Sequence, residues 1–195
     1  MRTNWRHMLT GALLAVLSLS GAPVAIPASG LDWTVVPEQS RVLFEYRRND
    51  QPAVGHFAKF AGRGVFDHDA PEDATLELRI ESASIDLDDT MASAFATSAE
   101  WFDSVNYPLV VYRLLELTPE GGNRYHATGT LTIRGRTRPI ETTITIEIGD
   151  DEAHAAGSLR LNRTDYWLGV GPSALFVDIG REVAVRFDLT ARPVR

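Results

Sequence analysis

Apolar and polar residues alternate along most of the chain that follows residue 30. The alternation is clearest in six stretches: 42–46, 76–80, 125–133, 140–148, 159–161 and 183–189. Successive side chains of a β-strand point to opposite faces of the sheet, so each stretch predicts a strand with one apolar and one solvated face. The segment 109–115 is apolar at nearly every position, and its pattern does not indicate which face is inward.

Clusters of turn-forming residues separate these stretches and predict hairpins at 119–123, 134–135 and 149–151. About eight strands at regular spacing favour an all-β fold, either a closed antiparallel barrel or a sandwich. Clean alternation argues against a parallel sheet, whose strands are buried on both faces. The glycine-spaced run 55–66 fits the tight bends of a small barrel.

One interval, residues 90–106, has little two-residue periodicity and holds several helix-forming residues. It predicts a helical or looped excursion between two strands, ending at Tyr107-Pro108. Its apolar side chains, Met91, Phe95, Trp101 and Phe102, need a place to be buried. We expect them to form a lid over one end of the barrel.

The first thirty residues have the order of a secretory signal peptide: Arg2 and Arg6, then an apolar stretch from Met8 to Leu19, then small residues and prolines. The apolar stretch is short for a membrane span, which makes an uncleaved anchor the less favoured alternative. Cleavage after either Gly30 or Ala22 fits the small-residue rule. The sequence therefore predicts a signal peptide over 1–30, one domain over 31–195, and a periplasmic or secreted location.

Charge and cysteine content narrow the set of partners. Residues 31–195 carry 17 basic and 26 acidic side chains, a net charge of −9. Nucleic acids and anionic membrane surfaces need basic patches, so neither is expected as a main partner. The chain has no cysteine, which excludes disulfides and a lipid-modified cysteine, and no stable membrane insertion is expected once the signal is removed.

Candidate chemical motifs are weak. Asp67-His68-Asp69 lies in a turn-rich segment before Pro71, where a solvated turn is favoured over a metal site. Asp86, Asp88 and Asp89 lack the glycine and closing glutamate of a calcium loop. The segment 171–175 lacks the final glycine of a nucleophile elbow. We therefore predict no metal site, no catalytic residue and no enzymatic activity.

Aromatic residues are numerous for one small barrel. Eight strands can enclose either packed side chains or one elongated ligand. The residues themselves leave both possibilities open.

Several segments occur in an order that resembles one family: Gly55 to Phe66, Ser84-Ile85-Asp86, Trp101-Phe102-Asp103 with Tyr107-Pro108, Gly129 to Gly135, and Asn162 to Tyr166 with Gly169. Together they resemble the YceI-like family of exported bacterial proteins, over nearly the whole of 31–195. The resemblance implies a lipocalin-like antiparallel barrel whose internal channel binds polyisoprenoid or similar lipids. Met91 to Phe95 departs from the arginine-aspartate pair and leucine of many members, so the channel mouth here is expected to be more apolar.

The resemblance, joined to the one-sided strands, implies a set of inward side chains that touch the ligand. The predicted channel residues are Phe44, Tyr46, Phe57, Phe60, Phe66, Phe102, Tyr112, Leu131, Ile133, Ile144, Trp167 and Phe187. Arg163 and Asp165 have two interpretations. They form a structural latch, paired with each other or with nearby backbone, or Arg163 contacts a ligand head group. Alternation places Arg163 inward, where it needs a partner.

The predicted function is a periplasmic carrier for an apolar lipid such as a polyisoprenoid or isoprenoid quinone, with no cofactor besides the bound lipid. Two alternatives remain open: a filled barrel acting as an envelope-stress interaction module, and an enzyme acting on a lipid. Cavity volume separates the filled barrel from the hollow one. The lipid itself and the oligomeric state are not determined by the sequence.

Overall fold

The computed structural model describes residues 30–194. The predicted signal peptide, 1–30, lies outside the described residues except for Gly30. Eleven strands are formed: β1 Leu31–Val35, β2 Arg41–Arg48, β3 Gln51–Phe57, β4 Phe60–Phe66, β5 Thr75–Glu81, β6 Ile85–Asp86, β7 Leu109–Gly121, β8 Arg124–Ile133, β9 Arg136–Ile148, β10 Ala153–Asn162 and β11 Glu182–Pro193. The α-helix, α1, spans Thr90–Ala96, and 3-10 turns span Pro37–Gln39, Pro71–Asp73, Ser82–Ser84, Arg163–Tyr166 and Pro172–Leu175.

The strands close into a ring. All pairs are antiparallel, in the order β1-β4-β5-β7-β8-β9-β10-β11, and β11 pairs again with β1. The remaining strands extend the wall at one end, where β2 pairs with β11, β3 with β2, and β6 with β3. The predicted fold class, a closed antiparallel barrel of about eight strands, is confirmed.

A bend divides the first long strand of the chain into β1 and β2. β1 and β2 are separated by the turn at Pro37, whose fixed φ suits the start of a 3-10 turn and which has no N–H to lose. Ser40 stabilises this bend: its hydroxyl donates to the Val36 carbonyl at 2.7 Å, and its oxygen accepts from the Thr190 amide at 3.0 Å. Each half-strand thus pairs with a different part of β11.

The two-residue alternation holds along β8, where Tyr125, Ala127, Leu131 and Ile133 are buried and their neighbours are not. Strand β7 explains why the segment 109–115 could not be oriented. Its register against β8 shifts between Leu114 and Glu116, so a β-bulge turns the following side chains by one position.

The interval 90–106 is an excursion, as predicted. Asp89 caps α1 by accepting from the Ala92 amide at 2.8 Å, which satisfies one of the free donors at a helix start. Turns then lead from α1 to β7. The buried Ser82 holds the end of this excursion in place: its amide donates to the Pro108 carbonyl at 2.9 Å and its hydroxyl to the Tyr107 carbonyl at 2.8 Å.

A two-chambered apolar channel as the candidate functional site

The barrel is hollow. Its wider chamber has a volume of about 440 Å³. Aromatic rings form one wall in a continuous chain: Phe44 lies 5.4 Å from Phe57, centroid to centroid, and Phe57 meets Phe102 edge to face at 5.7 Å. Side chains of α1, among them Met91 and Phe95, line the same chamber. Since Met91 is 84% exposed, the chamber opens to solvent beside α1.

The narrower chamber has a volume of about 180 Å³ and lies toward the opposite end of the ring of strands, where Ala74 and Ala153 line it. Its lining is almost wholly apolar and includes Phe66, Leu78, Ile144 and Phe187. A second core cluster around Leu117, Tyr125, Ala127 and Ile144 packs beside it. An alkyl chain fits such surroundings, because they offer almost no polar group to desolvate.

The two chambers meet at shared side chains, which line both: Val42, Ile80, Leu131 and Val185. These residues come from four different strands, β2, β5, β8 and β11. The chambers therefore adjoin within one barrel interior, on either side of these four side chains.

Ten of the twelve predicted channel residues line these chambers. Phe44, Tyr46, Phe57, Phe102 and Ile133 border the wide chamber, Phe66, Tyr112, Ile144 and Phe187 the narrow one, and Leu131 both. Most of the lining is aliphatic, and residues such as Leu78, Val185 and Leu189 were not among the predicted channel residues. Strand alternation alone would have found most of them.

Two predicted channel residues lie elsewhere. Phe60 follows the break between β3 and β4 and packs in the main core cluster. Trp167 is 55% exposed and lies outside the barrel, because it follows the 3-10 turn at Arg163–Tyr166 in a left-handed conformation with φ of 59°. Its indole instead stacks under the guanidinium of Arg136, 3.6 Å from ring centroid to Cζ.

Arg163 is 8% exposed and borders the wide chamber. Its guanidinium donates to four backbone carbonyls: Nε to Gly180 at 3.0 Å, Nη2 to Ile179 at 2.7 Å, and Nη1 to Gly169 at 3.0 Å and to Leu168. The group also lies 5.2 Å from the Trp101 ring centroid. These carbonyls belong to both arms of the segment that joins β10 to β11, so Arg163 fastens that segment together.

Of the two latch partners predicted for Arg163, the structure shows the nearby backbone, and Asp165 is wrong. Among the residues that the structure describes, the partners of Arg163 are carbonyls and an indole, and the exposed Asp165 is not one of them. The reason is that the chain leaves β10 after Asn162 and enters a 3-10 turn, which removes the shared strand face. Burial lowers the pKa of Arg163, with Arg181 adding to the effect and Asp178 opposing it; an arginine remains charged at neutral pH.

Arg134 is a second arginine whose guanidinium donates to backbone carbonyls, and it was not among the predicted site residues. It lies in the β8–β9 turn with φ of 50°. Its guanidinium donates to the Trp167 carbonyl at 2.6 Å and to the Ala99 carbonyl at 2.5 Å. Arg134 therefore ties the excursion after α1 to the β10–β11 connection. The sequence did offer one indication of its importance, because Arg134 lies in the segment 129–135 that carries part of the family resemblance.

Three polar side chains border the wide chamber besides Arg163: Tyr46, Arg48 and Asp89. Burial raises the pKa of Tyr46, Arg48 lowers it and Asp89 raises it. In the narrow chamber, burial raises the pKa of Tyr112 to about 12. The polar groups of the channel are thus concentrated in the chamber that opens to solvent.

The family model for the YceI-like domain matches residues 33–191. The chain belongs to the YceI-like family. A UPF0312 protein of Vibrio cholerae is 25% identical over 185 residues, which cover 89% of this chain and 94% of that protein. The crystal structure of BcnA from Burkholderia cenocepacia is similar to this fold, with a TM-score of 0.74 and 27% sequence identity, over 80% of this chain and 98% of that one.

A polyisoprenoid binding domain from Saccharophagus degradans has the same fold, with a TM-score of 0.70 and 16% identity over 84% of this chain and 99% of that one. The family resemblance read from the sequence is confirmed. Within residues 30–194, no group of three or more metal-binding side chains is close enough to hold an ion. No helix in this described range has the length and apolar character to cross a bilayer.

Proposed function

We propose that this YceI-like protein carries an apolar lipid of the polyisoprenoid or isoprenoid-quinone class, with the tail in the narrow chamber and the head group in the wide one. The observation that carries the proposal is the pair of adjoining, largely apolar chambers inside the barrel. The polyisoprenoid binding named for the Saccharophagus degradans domain supports the ligand class.

Physical chemistry supports a carrier of this kind. Each CH₂ group moved from water into an apolar site contributes about 0.8 kcal/mol. A tail of several isoprene units is therefore almost insoluble, and it needs a protein cavity to pass through an aqueous compartment. The narrow chamber has almost no polar lining, so it can offer such a tail an apolar environment like that of the bilayer.

The head group is proposed to lie in the wide chamber, near Tyr46, Arg48 and Asp89. These side chains supply hydrogen-bond donors and acceptors at the end that water reaches. Arg163 is proposed to hold the wall rather than the ligand, because four of its N–H groups already donate to carbonyls. The periplasm is the proposed compartment, on the strength of the signal-like pattern in residues 1–30.

The test is native mass spectrometry of the purified protein, followed by organic extraction of whatever is bound. A polyprenyl lipid in the extract is the expected result. Protein that retains no lipid, and that binds neither an added polyprenol nor an added ubiquinone, contradicts the proposal.

Ile133→Trp provides a structural control, because Ile133 borders the wide chamber. The larger indole should take up channel volume and lower lipid occupancy, with little loss of stability since a void is available. In a filled barrel the same change would cost about 1–3 kcal/mol through overpacking. Ile133→Leu keeps the volume and should bind lipid like the parent protein.

A further inference from the structure

The antiparallel ring brings four connections to the end of the barrel that holds the wide chamber: residues 49–50, 87–108, 134–135 and 163–181. The structure exposes fourteen large apolar side chains among its described residues, and eight of them lie on these four connections. None of the fourteen lies on 67–74, 122–123 or 149–152, the connections at the opposite end. Leu31, Ile148 and Val194 are exposed at strand ends beside those connections. The rim end therefore carries the larger share of the exposed apolar side chains.

Three of the four most exposed of these side chains line the wide chamber or lie within two residues of its lining; the fourth, Val105, is 92% exposed and does neither. Met91 borders the wide chamber and is 84% exposed. Leu175 and Phe176 are 83% and 87% exposed, and the next residue, Val177, borders the chamber. Contiguous apolar groups in water mark an interaction site in a soluble domain. This apolar rim is continuous with the apolar lining of the channel.

Both ends of the barrel carry an excess of acidic side chains. The connections 67–74 and 149–152 hold seven carboxylates and no lysine or arginine. The rim-end connections also hold seven carboxylates, together with Arg134, Arg163 and Arg181. The rim therefore lacks the excess of positive charge that electrostatic attraction to anionic lipids requires. Contact with a membrane at the rim must come from apolar insertion.

We infer that the rim around Met91, Leu175 and Phe176 docks on the surface of a lipid bilayer, with the channel mouth against the membrane. The inference rests on the proposed function, because a lipid that leaves a bilayer for this channel would pass over the rim. Insertion of a large apolar side chain into the interfacial region gives up its contact with water, as in interfacial helices. The rim side chains gain this burial only while the mouth faces lipid.

The experiment is co-sedimentation of the purified protein with phosphatidylcholine vesicles. We expect sedimentation that high salt does not abolish, and that phosphatidylglycerol does not strengthen. Leu175→Ser and Phe176→Ser should each lower the vesicle partition by about tenfold, the effect of losing one buried apolar side chain. Leu115→Ser is the matched control: Leu115 is also well exposed but lies on the β7 bulge, and its loss should change nothing.

Extraction of lipid from the same variants separates this inference from the proposed function. Leu175 and Phe176 are outside the channel lining, so both serine variants should still carry lipid. A parent protein that carries lipid but does not sediment would overturn the docking inference and leave the carrier function standing. Equal losses for Leu115→Ser, binding that salt abolishes, or a dimer that Leu175→Ser dissociates would also overturn it.

Discussion

Replacing Arg163 with methionine removes the guanidinium and keeps a long apolar stem against Trp101. The four carbonyls of Leu168, Gly169, Ile179 and Gly180 then lose their donor inside the wall of the wide chamber. The segment between β10 and β11 is then held by the Arg134 donation to the Trp167 carbonyl and by backbone bonds, such as that from the Gly169 amide to the Glu100 carbonyl at 2.8 Å.

The size of the effect follows from these contacts. Each hydrogen bond to a charged donor contributes about 1.5–3 kcal/mol, but the four are not additive because the freed loop can reach water. A buried carbonyl left without a donor costs about 1–3 kcal/mol. We expect a loss near 4 kcal/mol in the free energy of unfolding, which lowers the Tm by roughly 8–16 °C in a domain of this size.

The assay is thermal and urea unfolding of the parent protein, Arg163→Met and Arg160→Met. Arg160 is the matched control, since it lies on the outer face of β10 and pairs with Glu182 at 3.0 Å on the surface. Exposed pairs contribute about 0–1 kcal/mol. A loss below 1 kcal/mol for Arg163→Met would refute the latch. An unchanged Tm with weaker lipid binding would assign Arg163 to the head group instead.

Three further predictions concern other parts of the chain. Gly169→Ala should cost about 1–3 kcal/mol more than Gly122→Ala, measured by urea unfolding, because the two glycines have φ of 61° and 58° but only at Gly169 would a Cβ collide, 2.6 Å from an indole carbon. Burial first, and the Asp165 charge second, raise the pKa of Tyr166 to about 12. The unfolded chain therefore loses that proton first, and this residue should lower stability by up to about 2–3 kcal/mol as pH rises from 10 to 12. Tyr112, whose pKa is also raised to about 12, adds a loss of its own, so Tyr166→Phe should remove about half of the fall in stability measured over this pH range. Intact mass of the exported protein should lack residues 1–30, whereas a full-length mass in a membrane pellet would indicate an anchor.

The barrel could be predicted because its signal is local and repeated. Each two-residue alternation fixes which face of a strand is inward, and turn residues such as Arg134-Gly135 fix where the chain reverses. The exception was β7, where the bulge near Leu115 interrupts the period. A bulge depends on the register of the partner strand, which is not written in the strand's own residues.

The site was less predictable, because it depends on contacts between distant segments. Aromatic residues on regular strands, such as Phe44 and Phe187, could be placed at the channel wall from periodicity and family resemblance. Trp167 could not, since a single left-handed residue after a 3-10 turn directs it outward. The backbone partners of Arg163 and Arg134 come from loops whose course no periodic pattern describes.

The pairing of the first strand with the last has a consequence for folding kinetics. Trp33 of β1 lies opposite Pro193 of β11, and the Val36 amide donates to the Thr190 carbonyl. Contacts between the two ends of a chain raise the contact order, and such topologies fold slowly. The ring cannot close until the twelve residues of β11 are free of the ribosome or of a membrane pore. A chain that emerges in stages stays open for the whole of its passage, with its apolar faces available to chaperones or to unwanted partners until the final strand arrives.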